Sequence, residues 1–328
     1  MKGNQNIKVG IIIPAYNVEN YLFRALDSCI NQTYRNIEVI VMDDGSSDGT
    51  YAVAKSYSER DPRVKAFKQK NSGVSAARNN AIDMCCADHL LFLDSDDWLE
   101  ENAVSDLLQH LPDGEGKYLI CCDTYYAYMV EQGIRRVPAD GVAADKCGSA
   151  EELLMYTAKS EYKLRSACYK LFSLRIIREC ALKFREDIRH GEDGLFVFEY
   201  LKHSDAFVYF PGLLWNILER PGSATTSPYN RSWLSAVTAA EAMLAYDNSP
   251  ELHCELKKYL VQRTTTTLCC ALASVNADKK DIAYLRRLLR GELGFYMKNE
   301  KSLKRRLFYL FESFAPVFAV RAHCSRKG

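Results

Sequence analysis

The sequence predicts an α/β protein: a mostly parallel sheet with helices on both faces, continued by helices at the carboxyl end. Two observations predict the sheet. Short β-rich apolar runs alternate with single helical patterns up to Asp97, a spacing that argues for βαβ units. Clusters of Asp, Asn, Gly and Ser close those runs, and open α/β sheets bind ligands at the carboxyl ends of their strands. A third observation predicts the extension: from about Ser232 onward helical patterns dominate and no further strand is read.

The elements follow in order. Val9 to Ile13 is an apolar run ended by Pro14-Ala15-Tyr16-Asn17. Tyr21 to Ile30 has helical spacing at Leu22, Ala25, Leu26 and Cys29. Ile37 to Met42 reads as a second strand, closed by Asp43-Asp44-Gly45-Ser46-Ser47-Asp48-Gly49-Thr50, and a helix follows from Thr50 to Arg60. Val64 to Gln69 is a third strand. The loop Asn71-Ser72-Gly73 leads into a helix through Ser75 to Cys86. Leu90 to Leu93 is a fourth strand, and it runs into Asp94-Ser95-Asp96-Asp97. Beyond it, Tyr118 to Cys122 and Tyr125 to Val130 suit two strands, and Ala206 to Phe210 another. Ala150 to Ala158 suits a helix, as does Gly191 to Lys202 with its acidic start near Glu192.

With 328 residues, 48% of them hydrophobic, the chain has enough apolar material for a sizeable core. A net charge of +1 gives no bias toward nucleic acid. Six of the 12 cysteines form adjacent pairs and no CxxC occurs, so reduced, buried cysteines are expected and zinc is not. Met1 to Lys8 is polar and lacks a signal-peptide pattern, which points to the cytoplasm. Phe308 to Val320 carries Glu312 and Pro316 and is too short to span a bilayer.

Each polar cluster has a structural reading and a chemical one. Three acids at one strand end repel one another unless a cation or hydrogen-bond donors neutralise them, and a hard divalent ion, Mg²⁺ or Mn²⁺, suits such oxygens. Asp43-Asp44-Gly45-Ser46 is either an Asx-type turn or the place where an acid accepts a hydrogen bond from a base. Pro14-Ala15-Tyr16-Asn17 is either a turn or a stacking platform for a nucleobase. Arg78 is either a solvated side chain or a fork of donors for a diphosphate or carboxylate. Gly191-Glu192-Asp193 is either a helix start whose acids face the macrodipole or the source of a general base. Arg220-Pro221-Gly222-Ser223 is either a turn or a loop closing over phosphates.

The order and spacing of these segments are more specific than any one of them. Val9 to Asn17, Gln32 to Thr50, Asn71 to Asn79 and Leu91 to Trp98 resemble the opening of glycosyltransferase family 2. The resemblance is strong over residues 8 to about 110 and resumes from Phe184 to Ser223. It implies a GT-A fold, Rossmann-like, with residues 1–110 as a nucleotide-sugar-binding half, 111–230 as an acceptor-binding half and 231–328 as a helical extension. It implies transfer of a sugar, with UDP-hexose as the default donor, to a hydroxyl of a glycan or lipid-linked acceptor with inversion. Pro14, Tyr16, Asn17, Asp44, Arg78, Asp94 and Ser95 would bind the nucleotide-sugar, with Tyr16 stacked on the base. Asp96 would hold the divalent cation, Mn²⁺ or Mg²⁺. Asp193 would be the base, with Glu192 the second candidate. Asp97, Arg220 and Ser223 would belong to a phosphate or acceptor loop.

Residues 279–328 interleave basic groups, among them Arg286, Arg287, Arg290, Lys304 and Arg305, with Leu285, Leu289, Phe308 and Phe311. Such a stretch is either a membrane-surface helix, which would place the protein peripherally on the inner face of the plasma membrane, or a helix packed on the domain with a solvated basic face. Two other functions compete with glycosyl transfer. A metal-dependent nucleotidyltransferase usually carries a Gly-rich basic motif after its first strand, where this chain has Pro14-Ala15-Tyr16-Asn17. A non-catalytic nucleotide-sugar-binding module would not need both Asp96 and Asp193.

Overall fold

A computed structural model describes residues 6–114, 116–131, 133–139, 145–159, 165–220, 229–246, 248–274, 277–302 and 306. The chain divides into two units. The first comprises residues 1–153, 166–186 and 196–223, and the second 154–165, 187–195 and 224–328. Ser223, Lys304, Arg305 and residues 307–328 lie outside the described residues.

In chain order the elements up to residue 219 are β1 (Val9–Ala15), α1 (Leu22–Ile30), β2 (Ile37–Asp43), α2 (Thr50–Arg60), β3 (Val64–Lys68), α3 (Val74–Met84), β4 (His89–Phe92), β5 (Trp98–Leu99), α4 (Ala103–Gln109), β6 (Tyr118–Val130), β7 (Gly133–Pro138), β8 (Lys146–Ser149), α5 (Ala150–Lys159), β9 (Lys170–Ser173), α6 (Leu174–Glu179), α7 (Glu192–Leu201) and β10 (Ala206–Glu219). The sheet runs β3-β2-β1-β4-β9-β6-β10-β5, with β7 added beside β6 and β8 beside β10. β3, β2, β1 and β4 are parallel. β9 is antiparallel to both β4 and β6, and β10 runs parallel to β6.

Physical chemistry explains the parallel half. β1 and β2 are buried along their whole lengths, as strands covered on both faces must be, and so read as largely apolar runs, interrupted in β2 by Glu38 and closed by Asp43. α1 buries Leu22, Ala25, Leu26 and Cys29, one stripe of an amphipathic helix. Phe92, at the end of β4, packs edge-on against Phe172 of β9, Phe184, and Phe196 of α7. Edge-to-face aromatic contacts add to the area they bury.

The second half of the sheet departs from the sequence expectation in detail. Tyr118 to Val130 is one strand rather than two: it pairs with β10 from Tyr118 to Tyr128, and Asp123 in its middle accepts from the Tyr209 hydroxyl at 2.5 Å. β10 continues past Phe210 through Pro211 and Gly212 to Glu219, with register shifts between Tyr209 and Leu213 that absorb the proline. β5, β7, β8, β9, α4 and α6 are short, and their local patterns gave no periodic signal.

The second unit adds α8 (Ser235–Leu244), α9 (Pro250–Ala273) and α10 (Lys279–Asn299). Ser249 caps α9 by accepting the Leu252 amide, with Pro250 in the first turn, and Asp278 caps α10 through the Lys280 amide. Leu285, Leu289 and Tyr296 of α10 are buried, and Lys257 of α9 pairs with Glu292 at 3.3 Å. The apolar stripe of α10 is therefore covered by protein, while Arg287, Arg290 and Lys298 stay exposed. Among the described residues no helix is long and apolar enough to cross a membrane.

Candidate active site

The parallel register puts the carboxyl ends of β1, β2 and β4 at one edge. Ala15 pairs with Asp43, Ile12 pairs with Phe92, and the Leu93 amide donates to the Ile12 carbonyl at 3.0 Å. Pro14 lies just past the last β1–β4 pair, where its missing N–H costs no ladder bond. Tyr16 follows and is 49% exposed. Asn17 takes a left-handed backbone (φ 51°), and its side-chain carbonyl accepts the Ser47 amide at 2.9 Å. Its own amide donates to Ser46 Oγ at 2.9 Å, so the β1 turn and the β2 turn hold each other.

The two acids at the end of β2, Asp43 and Asp44, are buried and make different contacts. Asp43 accepts the Ser46 amide at 3.2 Å and pairs with Lys68 Nζ at 3.3 Å. Asp44 accepts from Gln69 Nε2 (2.9 Å) and the Ser72 amide (2.7 Å) through one oxygen, and from the Gly73 amide (2.8 Å) through the other. Gly45 has φ +75°, and a Cβ there would lie 2.7 Å from the Asn71 nitrogen, so only glycine lets the two turns approach.

Arg78 and Asn79, on α3, are buried. Arg78 Nη2 donates to Asp94 at 3.1 Å, and its guanidinium lies 5.1 Å from the centre of the Phe184 ring. Asn79 bonds the Phe184 backbone reciprocally, donating to its carbonyl at 2.9 Å and accepting its amide at 2.8 Å. The sequence gives no sign of this role for Asn79, because its partner lies 105 residues away. Gln69, which holds Asp44, and Tyr21, which lies under Arg220, were likewise missed, and no local pattern marks them.

At the end of β4 the acids separate. The Asp94 side chain is nearly half exposed, and Ser95 is buried. Asp96 accepts from Arg220 Nε at 2.7 Å, and the Arg220 guanidinium lies 4.6 Å from the Tyr21 ring centre. Asp97 is 4% exposed and accepts the Leu218 amide at 2.8 Å. Burial first, then the charges of Asp94 and Asp96, push the Asp97 carboxyl well above the usual range. The local excess of negative charge and the all-oxygen donor set fit a hard divalent cation. Among the described residues no group of three or more His, Cys, Asp or Glu side chains is gathered to hold an ion by itself.

Glu192 and Asp193 form the first turn of α7 and belong to the second unit. Gly191 before them has φ +91° and packs against Ala239, where an added Cβ would stand 3.1 Å from the Ala239 Cβ. His190 shares a hydrogen bond with Ser232 Oγ at 3.1 Å and stacks on Trp233. Burial, then Arg263 and Arg189, lower the His190 pKa, which favours a neutral imidazole. The first unit thus brings together Pro14, Tyr16, Asn17, Asp44, Arg78, Asp94, Ser95, Asp96, Asp97 and Arg220.

A parallel sheet whose strand ends gather an exposed tyrosine, a loop-organising aspartate and an acidic cluster defines an open α/β protein with a polar site where such sheets bind their ligands. Residues 10–182 match the profile of glycosyl transferase family 2, and the chain belongs to that family. Glycosyltransferase GlyA of Streptococcus pneumoniae is 32% identical over 239 residues, which are 71% of this chain and 33% of that protein. The chain thus spans a third of GlyA's length. Among solved structures, S. aureus TarS 1–349 in complex with UDP-GlcNAc superposes with a TM-score of 0.69 at 18% identity, over 88% of this chain and 81% of that one. The mannosyltransferase PcManGT from Pyrobaculum calidifontis, in complex with GDP-Man and Mn²⁺, gives a TM-score of 0.55 at 15% identity, over 94% and 87%. The fold is the GT-A fold of these proteins.

Proposed function

We propose that this chain is an inverting glycosyltransferase that moves a sugar, by default from a UDP-hexose, to a hydroxyl of a glycan or lipid-linked acceptor in surface-polysaccharide synthesis. The observation that carries the reading is the convergence of Tyr16, Asp44, Arg78 and the Asp94–Asp97 cluster at one edge of the sheet, in a chain of this family. UDP-GlcNAc on TarS supports a uridine nucleotide-sugar, and Mn²⁺ on PcManGT supports a divalent cation.

In this reading the exposed Tyr16 ring stacks on the base. Asp44 takes one further N–H from it, since a carboxylate has about four acceptor sites and three are occupied. Asp96 holds Mn²⁺ or Mg²⁺, with Asp94 beside it on the ribose side. A bound ion of this kind supplies a Lewis acid for the charge that develops on the departing diphosphate. Arg78, fixed by Phe184 and Asp94, and Arg220 add positive charge from the protein. Asp97 supports the turn through Leu218, and Ser223 belongs to the phosphate or acceptor loop. Asp193, with Glu192 as second candidate, takes the proton from the acceptor hydroxyl as it attacks the face opposite the leaving group. The exposed basic side chains of α10 support a peripheral contact with an anionic membrane, on its cytoplasmic face.

The test has two arms. A thermal-shift screen of nucleotide-sugars with and without Mn²⁺ identifies the donor, because a ligand at 100 times its Kd stabilises by about 2.7 kcal/mol. With that donor, Asp193→Asn is expected to lose transfer by roughly 10²-fold or more and to keep donor affinity within a few-fold. Turnover surviving within a few-fold would place the base elsewhere.

A further inference from the structure

Two arginines neutralise the acidic cluster, and they are held differently. Arg78 sits within α3, its side chain 4% exposed, between Asp94 and the Phe184 ring. Phe184 is itself clamped by the two hydrogen bonds of Asn79, so Arg78 has little freedom to leave. Arg220 follows the last residue of β10, and its side chain is 20% exposed. It touches Asp96 through Nε alone at 2.7 Å and rests on the face of Tyr21. An aromatic face accepts a guanidinium in several orientations and imposes no fixed hydrogen-bond direction.

Asp96 Oδ2 is therefore already occupied by a cationic donor. An ion coordinated by either oxygen of Asp96 stands beside the guanidinium and is repelled by its charge, so binding of the ion favours release of the arginine, and the released guanidinium then needs an anion. A nucleoside diphosphate supplies one with the bidentate geometry that Arg prefers.

We propose that Arg220 is an exchangeable counter-charge. Without donor it occupies Asp96 and suppresses binding of a free divalent cation; with donor it transfers to the diphosphate and frees Asp96 for the ion. The inference rests on the assignment of Asp96 as the ion's ligand. It makes ion and nucleotide bind as a coupled pair, each tightening the other by the same factor. The device gives the protein specificity for the ion–nucleotide complex over either component, and it keeps Asp96 from remaining an uncompensated partly buried charge between turnovers.

The test reads Mn²⁺ binding directly, by the loss of the free-ion electron paramagnetic resonance signal, for Mn²⁺ alone and with UDP. Arg220→Gln is expected to bind Mn²⁺ alone on the order of tenfold more tightly than wild type, and the factor by which UDP tightens Mn²⁺ should fall by a similar amount. Arg220→Lys, which keeps the charge, should return Mn²⁺ affinity toward wild type. Thermal melting confirms that each variant is folded. An Arg220→Gln protein that binds Mn²⁺ alone no better than wild type overturns the exchange, provided Asp96→Asn loses Mn²⁺. If Asp96→Asn binds Mn²⁺ and UDP as wild type does, the ligand assignment and the exchange both fall.

Discussion

Asp44 commits both carboxylate oxygens to the loop that follows β3, so any part it takes in base recognition depends on a loop that it also builds. Asp44→Asn tests this coupling. The amide turns one acceptor into an NH₂ facing an N–H donor of that loop, and a loss of roughly 1–3 kcal/mol is expected in urea denaturation. Nucleotide affinity should fall with it. At this scale the sequence showed which acids matter but not what each one holds. Asp43 and Asp44 are adjacent and chemically identical, yet one pairs with Lys68 and the other with amides beyond β3. That division depends on which way a turn points each side chain, and residue type does not encode it. Arg220 was legible as a basic residue near phosphate chemistry, whereas its partner Asp96, 124 positions earlier, was not.

At the scale of elements, the parallel strands and α1 to α3 were readable because burial on both faces writes long apolar runs and one-sided burial writes a helical stripe. β5, β8 and β9 were not, since two to four residues hold no period and their strand character comes from neighbours in the sheet. Two element-level contacts are open to measurement. Asn79→Ala leaves the buried Phe184 amide and carbonyl unpaired and should cost roughly 2–4 kcal/mol. Because Phe184 lies under Arg78, weaker binding of the nucleotide is expected alongside the lower stability. At β2, Glu38 is buried; burial alone would raise its pKa, but bonds from Lys65, Cys85, the Cys86 amide and Lys8 outweigh it and bring it from 4.5 down to about 2. A carboxylate with a depressed folded pKa stabilises above its unfolded pKa and loses that contribution as pH falls through the folded one. The contribution, on the order of 3 kcal/mol, should thus be intact at pH 6 and fade between about pH 4.5 and 2. Glu38→Gln should flatten the stability profile in that window, as followed by urea midpoints.

At the scale of the whole molecule, family and fold class were legible because four spaced segments had to agree, and agreement among segments is more specific than any one of them. The boundaries of the elements beyond β4 were not, since they rest on long-range pairing. The carboxyl-terminal region offers a measurable choice. Leu285 and Leu289 are already covered by protein, so membrane affinity has to come from exposed basic groups and from residues beyond α10. Deletion of residues 298–328 is expected to weaken partitioning onto anionic vesicles several-fold, with the remainder lost at high salt. Unchanged partitioning would return the basic face to the role of a solvated surface.

The position of β9 carries a consequence for synthesis on the ribosome. In the sheet it separates β4 from β6, yet its residues, Lys170–Ser173, are made after both of them. Until that stretch emerges, the nascent parallel sheet ends in an open edge at β4, a row of unpaired amides and carbonyls that invites association with other chains. The two sides of the sheet can be joined only after this four-residue strand is made, and a chain halted before it is expected to need chaperone protection.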